Sequence, residues 1–209
     1  KEITPPTGYL LDKTEHALTA DADNFTVEKN TLTVTSNEQV IKGRISIVKH
    51  SDKNDSIIEK PEKGAQFQIY LKSAGSYDAA KDTERDLLTT DCAESKGLPY
   101  GTYVVHQSKG LVSSHLAPDF EVEITENGEK YFYLINNVPI EAYLRVQKVD
   151  AFDNQPITTG AKFQIRNPDG SLYKDPITGE DTFRSDSKGY IKTSNPLPYG
   201  EGYKLVEIQ

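Results

Sequence analysis

Apolar and polar side chains alternate along most of this chain with the period of two that a half-buried β-strand requires. Ile45, Ile47 and Lys49 share one face of a predicted strand, while Arg44, Ser46, Val48 and His50 share the other. In Gly64-Ala-Gln-Phe-Gln-Ile-Tyr-Leu, Ala65, Phe67, Ile69 and Leu71 point one way. Further strands are predicted at 87–90, 103–107, 120–125 and 130–136, giving six or seven short strands with turn signals between them. Residues 73–86 are charged and Ala-containing and read as a short helix or a loop insertion. Nearer the N-terminus, residues 1–12 read as a short strand ending in a Pro/Gly turn. Phe25–Val27 and Thr31–Thr35 read as strands joined at Lys29-Asn30. Asn167-Pro-Asp-Gly and Asp186-Ser-Lys-Gly are turn signals. The fold class is all-β.

The pattern repeats. Leu98-Pro-Tyr-Gly-Thr-Tyr-Val-Val-His-Gln returns as Leu197-Pro-Tyr-Gly-Glu-Gly-Tyr-Lys-Leu-Val-Glu, a step of 99 residues that also carries Lys49 to Lys148. A period of that size is a whole small domain, above the ~20 to 50 residues of a solenoid unit. The expected organisation is the C-terminal part of one domain (1–43), a complete domain (44–140) and the N-terminal part of a third (141–209). Because the units are homologous, 1–43 is expected to be able to pair with 141–209 of the same or another chain, head to tail.

Composition narrows the function classes. The 209 residues carry a net charge of −8 and no Lys/Arg-rich run, which argues against a nucleic-acid surface. No apolar run approaches the ~18 residues of a membrane span, so no membrane insertion is expected. Cys92 is the one cysteine, so no disulfide can form within the chain. His16, His50, His106 and His115 lack metal-ligand spacing, and the Asp-rich stretches at 21–24 and 150–154 read as polar turns, so no metal and no cofactor are expected.

Five motifs together carry a resemblance: Val48-Lys49 near the start of a unit, Gly64-Ala-x-Phe-Gln-Ile in its middle, Leu98-Pro-Tyr-Gly-x-Tyr next, Glu2-x-x-Pro-Pro-x-Gly-Tyr, and Asn137-x-Pro at the end. The set resembles the B-type repeat of Gram-positive collagen-binding adhesins, whose fold also builds pilin shafts. The resemblance implies tandem prealbumin-like, Ig-like β-sandwiches on a cell-wall surface protein. It further implies a lysine on the first strand bonded covalently to an asparagine on the last, assisted by a buried glutamate.

The residue types suit that chemistry. An amine attacks a carboxamide only when unprotonated, and burial disfavours a lysine's charged form. A carboxyl group beside the pair can relay the proton as ammonia leaves. Carried over by motif, the cross-linking residues are Lys49 with Asn137 in the middle unit, Lys148 in the third and Asn37 in the first. The assisting acids are Glu207 and Glu2. In the middle unit that position holds Gln107, which cannot cycle a proton, leaving Glu94, Glu121 or Glu123 as alternative acids. A Cys92–Gln107 thioester is a weaker reading, below that of a lone thiol at a hairpin.

The functional expectation is a structural stalk or shaft module of a cell-wall-anchored adhesin or pilin, extracellular, whose partners are neighbouring repeat domains. It is not an enzyme, since the cross-link turns over once. A different class is a ligand-binding adhesin module recognising host matrix protein or glycan.

Overall fold

The computed structural model describes residues 2–21, 31, 33–50, 62–90, 93–158 and 160–209. It divides into two compact units: residues 1–110 with 116–137, and residues 111–115 with 138–209.

The first unit is a β-sandwich. One sheet is antiparallel, in the order Phe120–Ile124, Gly101–Lys109, Gln66–Leu71, Arg85–Thr89. The other places Lys42–Lys49 between Lys130–Ile135 and Ala93–Glu94. The predicted alternation sets the core: Ile45 and Ile47 from one sheet meet Phe67, Ile69, Tyr103, Val105 and Val122 from the other, each at most 1% exposed. The first and last strands of the sandwich, Lys42–Lys49 and Lys130–Ile135, are neighbours and run parallel, in register from Lys130↔Arg44 to Ile135↔Lys49. That pairing brings two segments almost 90 residues apart in sequence side by side at their C-terminal ends.

The repeated motif has a local explanation. Gly101 sits at φ 146°, where a Cβ would meet Leu71 Cδ1 at 2.7 Å, so the position requires glycine. Two residues on, the Tyr103 hydroxyl donates to the Pro99 carbonyl at 2.9 Å. In the second copy Tyr203 donates to Pro198 at 3.1 Å. Leu98 and Leu197 are both buried, so Leu-Pro-Tyr-Gly is a turn closed by the tyrosine and pinned to each core by its leucine.

Two sequence expectations need correction, and a third resolves between its alternatives. The strand near the N-terminus follows the Pro/Gly turn instead of preceding it: Tyr9–Leu10 pairs with Gln39–Val40. Residues 33–35 form no strand despite their Thr and Val content, because β-propensity reflects packing against neighbours and these exposed residues have none in a sheet. The charged 73–86 stretch is the loop of the two alternatives, built of turns and bends with single 3-10 turns at Lys72–Ala74 and Asp82–Glu84. The Phe25–Val27 strand, the Lys29-Asn30 turn and Cys92 lie outside the described residues.

The second unit pairs Lys162–Arg166 with Phe183–Arg184 and Lys204–Glu207, and Arg145–Gln147 with Tyr190–Lys192. Its core is Phe163, Ile165, Tyr173, Phe183 and Ile191, flanked by Leu144 and Val146. Both expected turns form, with Gly170 N–H donating to Asn167 O and Gly189 N–H to Asp186 O.

Asp175, 1% exposed, fixes the 175–180 turn. Its carboxylate accepts the backbone N–H groups of Thr178 and Ile177 and both contacts of the Asn195 amide. The Thr178 N–H contributes most, and the set holds the pKa at about 2 against an ordinary 3.8, despite the opposing effect of burial. A folded pKa below the unfolded one gives stability that is present above pH ~4 and lost as pH falls towards ~2. Denaturation of the chain across that window should show the loss, and Asp175→Asn should flatten it.

Candidate functional site

The alternation that buries Ile45 and Ile47 carries on to Lys49, which ends its strand inside the sandwich at 0% exposure. Its Nζ donates to the backbone carbonyl of Asn136 at 2.7 Å. On the neighbouring strand, Tyr131, Tyr133 and Ile135 face inward and Asn137 follows in the same phase, 5% exposed. The register that sets Ile135 opposite Lys49 therefore places Asn137 just past the lysine, at the same end of the two strands.

The third member is Glu62, 4% exposed, in the connection just before Gly64. Its backbone N–H donates to the Lys49 carbonyl at 2.6 Å, and its own carbonyl accepts the Thr90 hydroxyl at 2.9 Å. Fixed in this way, its Oε2 accepts from Asn137 Nδ2 at 2.6 Å. Nδ2 also donates to His50 O at 2.9 Å. Turning the amide over would set two acceptor oxygens against each other, so the orientation is determined: the nitrogen faces the acid. Asn137 Oδ1 is then buried without a hydrogen-bond partner among the described residues, an uncommon and costly state that marks strain or function.

Glu62 is a buried acid beside Asn137 that sequence reasoning missed. The alternatives it weighed are held elsewhere. Glu94 bonds Arg44 and Lys130 at the surface, Glu121 pairs with Lys72, and Glu123 is exposed. Gln107, 1% exposed, braces the chain: Nε2 donates to Lys109 O at 3.1 Å and Oε1 accepts Ala117 N–H at 2.7 Å.

In the second unit Lys148 and Glu207 form an ion pair through Nζ and Oε1, both partly exposed. At the N-terminus Glu2 accepts the Asp12 N–H at 2.7 Å, and its charge, with that of Asp12 and with burial as the larger cause, raises the pKa of Glu38. Asn37 is exposed, outside any strand. The structure thus brings together Lys49, Asn137 and Glu62, and separately Lys148 and Glu207.

This geometry meets an independent finding. Residues 142–209 match the SpaA prealbumin-like fold domain. The resemblance read from the sequence holds for that prealbumin-like stretch. Among solved structures, the Bacillus anthracis TIE protein is 25% identical over 100% of this chain with a TM-score of 0.57, and the chain spans only 35% of that protein. The shaft pilin SpaA from Lactobacillus rhamnosus GG is 18% identical over 80% of this chain and 93% of its own, at a TM-score of 0.37. A streptococcal ancillary pilin is 16% identical over 88% of this chain and 59% of its own, also at 0.37. No curated protein matches significantly. No helix among the described residues is long and apolar enough to cross a membrane.

Proposed function

We propose that the chain is a load-bearing segment of an extracellular, cell-wall-attached stalk or shaft, and that residues 44–140 form a domain closed by an isopeptide bond between Lys49 and Asn137. The surface role rests on the sequence resemblance and on the family match of 142–209. The single observation that carries the bond is the burial of Lys49, Asn137 and Glu62 in one contact set at the ends of adjacent parallel strands.

The atoms balance without an oxidant or cofactor. The amine of Lys49, once neutral, attacks Asn137 Cγ through its lone pair. The Nζ–Cγ bond forms and the Cγ–Nδ2 bond breaks. Glu62 takes one proton from Nζ and hands it to Nδ2, which it already contacts, and ammonia leaves. Negative charge passes through Oδ1, the atom left unsatisfied in the ground state. Holding amine and amide together supplies an effective molarity equivalent to ~7 to 11 kcal/mol of barrier.

Intact mass in denaturant is the direct test. The chain is expected to be lighter than its sequence by one ammonia, about 17 Da, a deficit that reducing agent leaves in place because an amide has no disulfide to reduce. A fully folded chain at full sequence mass would overturn the reading.

A further inference from the structure

The two units place their acids differently around equivalent lysines. In both, the lysine's backbone carbonyl accepts an N–H from the segment that precedes Gly-Ala-x-Phe-Gln-Ile. The donor is Glu62 for Lys49 and Ile157 for Lys148. In both, the strand bearing that motif pairs in the same register with the strand after Leu-Pro-Tyr-Gly, with Phe67 opposite Gln107 and Phe163 opposite Glu207. The acid therefore stands at the connection with an amide on the strand in one unit, and on the strand with an aliphatic residue at the connection in the other.

Each position reaches one member of the pair or its counterpart. Glu62 contacts Asn137 from the connection, and Glu207 contacts Lys148 from the strand. The vacated strand position in the first unit has taken up another task, since Gln107 uses both ends of its amide to hold residues 109 and 117.

Building on the cross-link reading, we propose that the proton-relaying acid of this fold has two interchangeable positions, the one at Glu62 and the one at Gln107, and that a unit needs an acid at only one. From the strand the acid meets the amine and would take its proton there. From the connection it meets the leaving nitrogen and would give a proton there. A carboxyl group touching either end of the transfer can complete it, because the two nitrogens become joined through one carbon.

The experiment is intact mass of the whole chain and of three variants, each checked for cooperative unfolding. Glu62→Gln keeps shape and backbone contacts but cannot relay a proton, and is expected to remain at full mass. The exchange E62Q/Q107E is isosteric at both positions and is expected to restore the deficit of one ammonia. E62I/Q107E copies residues 157 and 207 and should do the same. Peptide mapping should place the bond at Lys49 and Asn137 in both.

An uncross-linked parent chain would overturn the bond itself. A cross-linked parent with cross-linked E62Q would overturn the assignment of Glu62 while leaving the bond. Folded double variants at full mass would overturn interchangeability. So would loss of the fold in both, since Ile157 and Glu207 already occupy those two positions beside Lys148 in the second unit.

Discussion

A chain carrying Lys49→Met is expected to retain its full mass and to unfold on the order of 20 °C below the parent in the transition assigned to residues 44–140. Methionine matches the length of the lysine stem, so the direct packing change is small, and the Nζ contact with the Asn136 carbonyl goes with the amine. What disappears is the cross-link. Closing a loop of roughly 90 residues removes entropy from the unfolded chain worth about 4 to 5 kcal/mol, by analogy with a disulfide of that span. Each kcal/mol moves the midpoint by about 4 to 8 °C in a domain of this size. Asn137→Ala should give a shift of similar size by removing the other end of the bond. The pair is the sharper measurement: K49M/N137A should fall little further than either single variant, because one bond can be lost only once. Additive shifts in calorimetry would mean that the residues act independently and that no bond joins them.

How much of this was legible in the sequence depends on which residues are considered. Lys49 and Asn137 were readable because each continues an alternating strand whose inward phase is fixed by neighbours, Ile45 and Ile47 for one, Tyr133 and Ile135 for the other. The Gln107 and Glu207 positions were readable because the repeat carries the register with it, and the observed pairings with Phe67 and Phe163 agree. Glu62 was not readable. It belongs to the polar stretch 51–63, where no periodicity says which side chain turns inward. Its placement comes from long-range contacts, with the Lys49 carbonyl, Thr90 and Asn137. One signal was available: Glu62 lies two residues before Gly64, so the turn at that glycine keeps it close to the core residue Ala65. The segment 33–35 failed for the opposite reason. Its composition suits a strand, but a strand exists only with a partner, and composition does not supply one.

Stretching the chain from its two ends should separate the cross-linked form from Lys49→Met by a length step of roughly 300 Å. The load path follows from the chain's order. Tension arriving from the N-terminal side enters the sandwich at Lys42 and runs along the first strand, while tension from the C-terminal side arrives at Asn137. The strands between are parallel and paired from Lys130↔Arg44 to Ile135↔Lys49, so without a covalent link the ends are held by a ladder loaded in shear. With the link, force passes from Lys49 to Asn137 through one amide, and the roughly 90 residues between them never bear it. At about 3.3 to 3.6 Å per extended residue, those residues hold about 300 Å of hidden length. Lys49→Met should release that length in one step when the ladder ruptures, whereas the parent should show only the extension of residues outside the loop. The same 300 Å step in the parent would show that the first and last strands are held by hydrogen bonds alone.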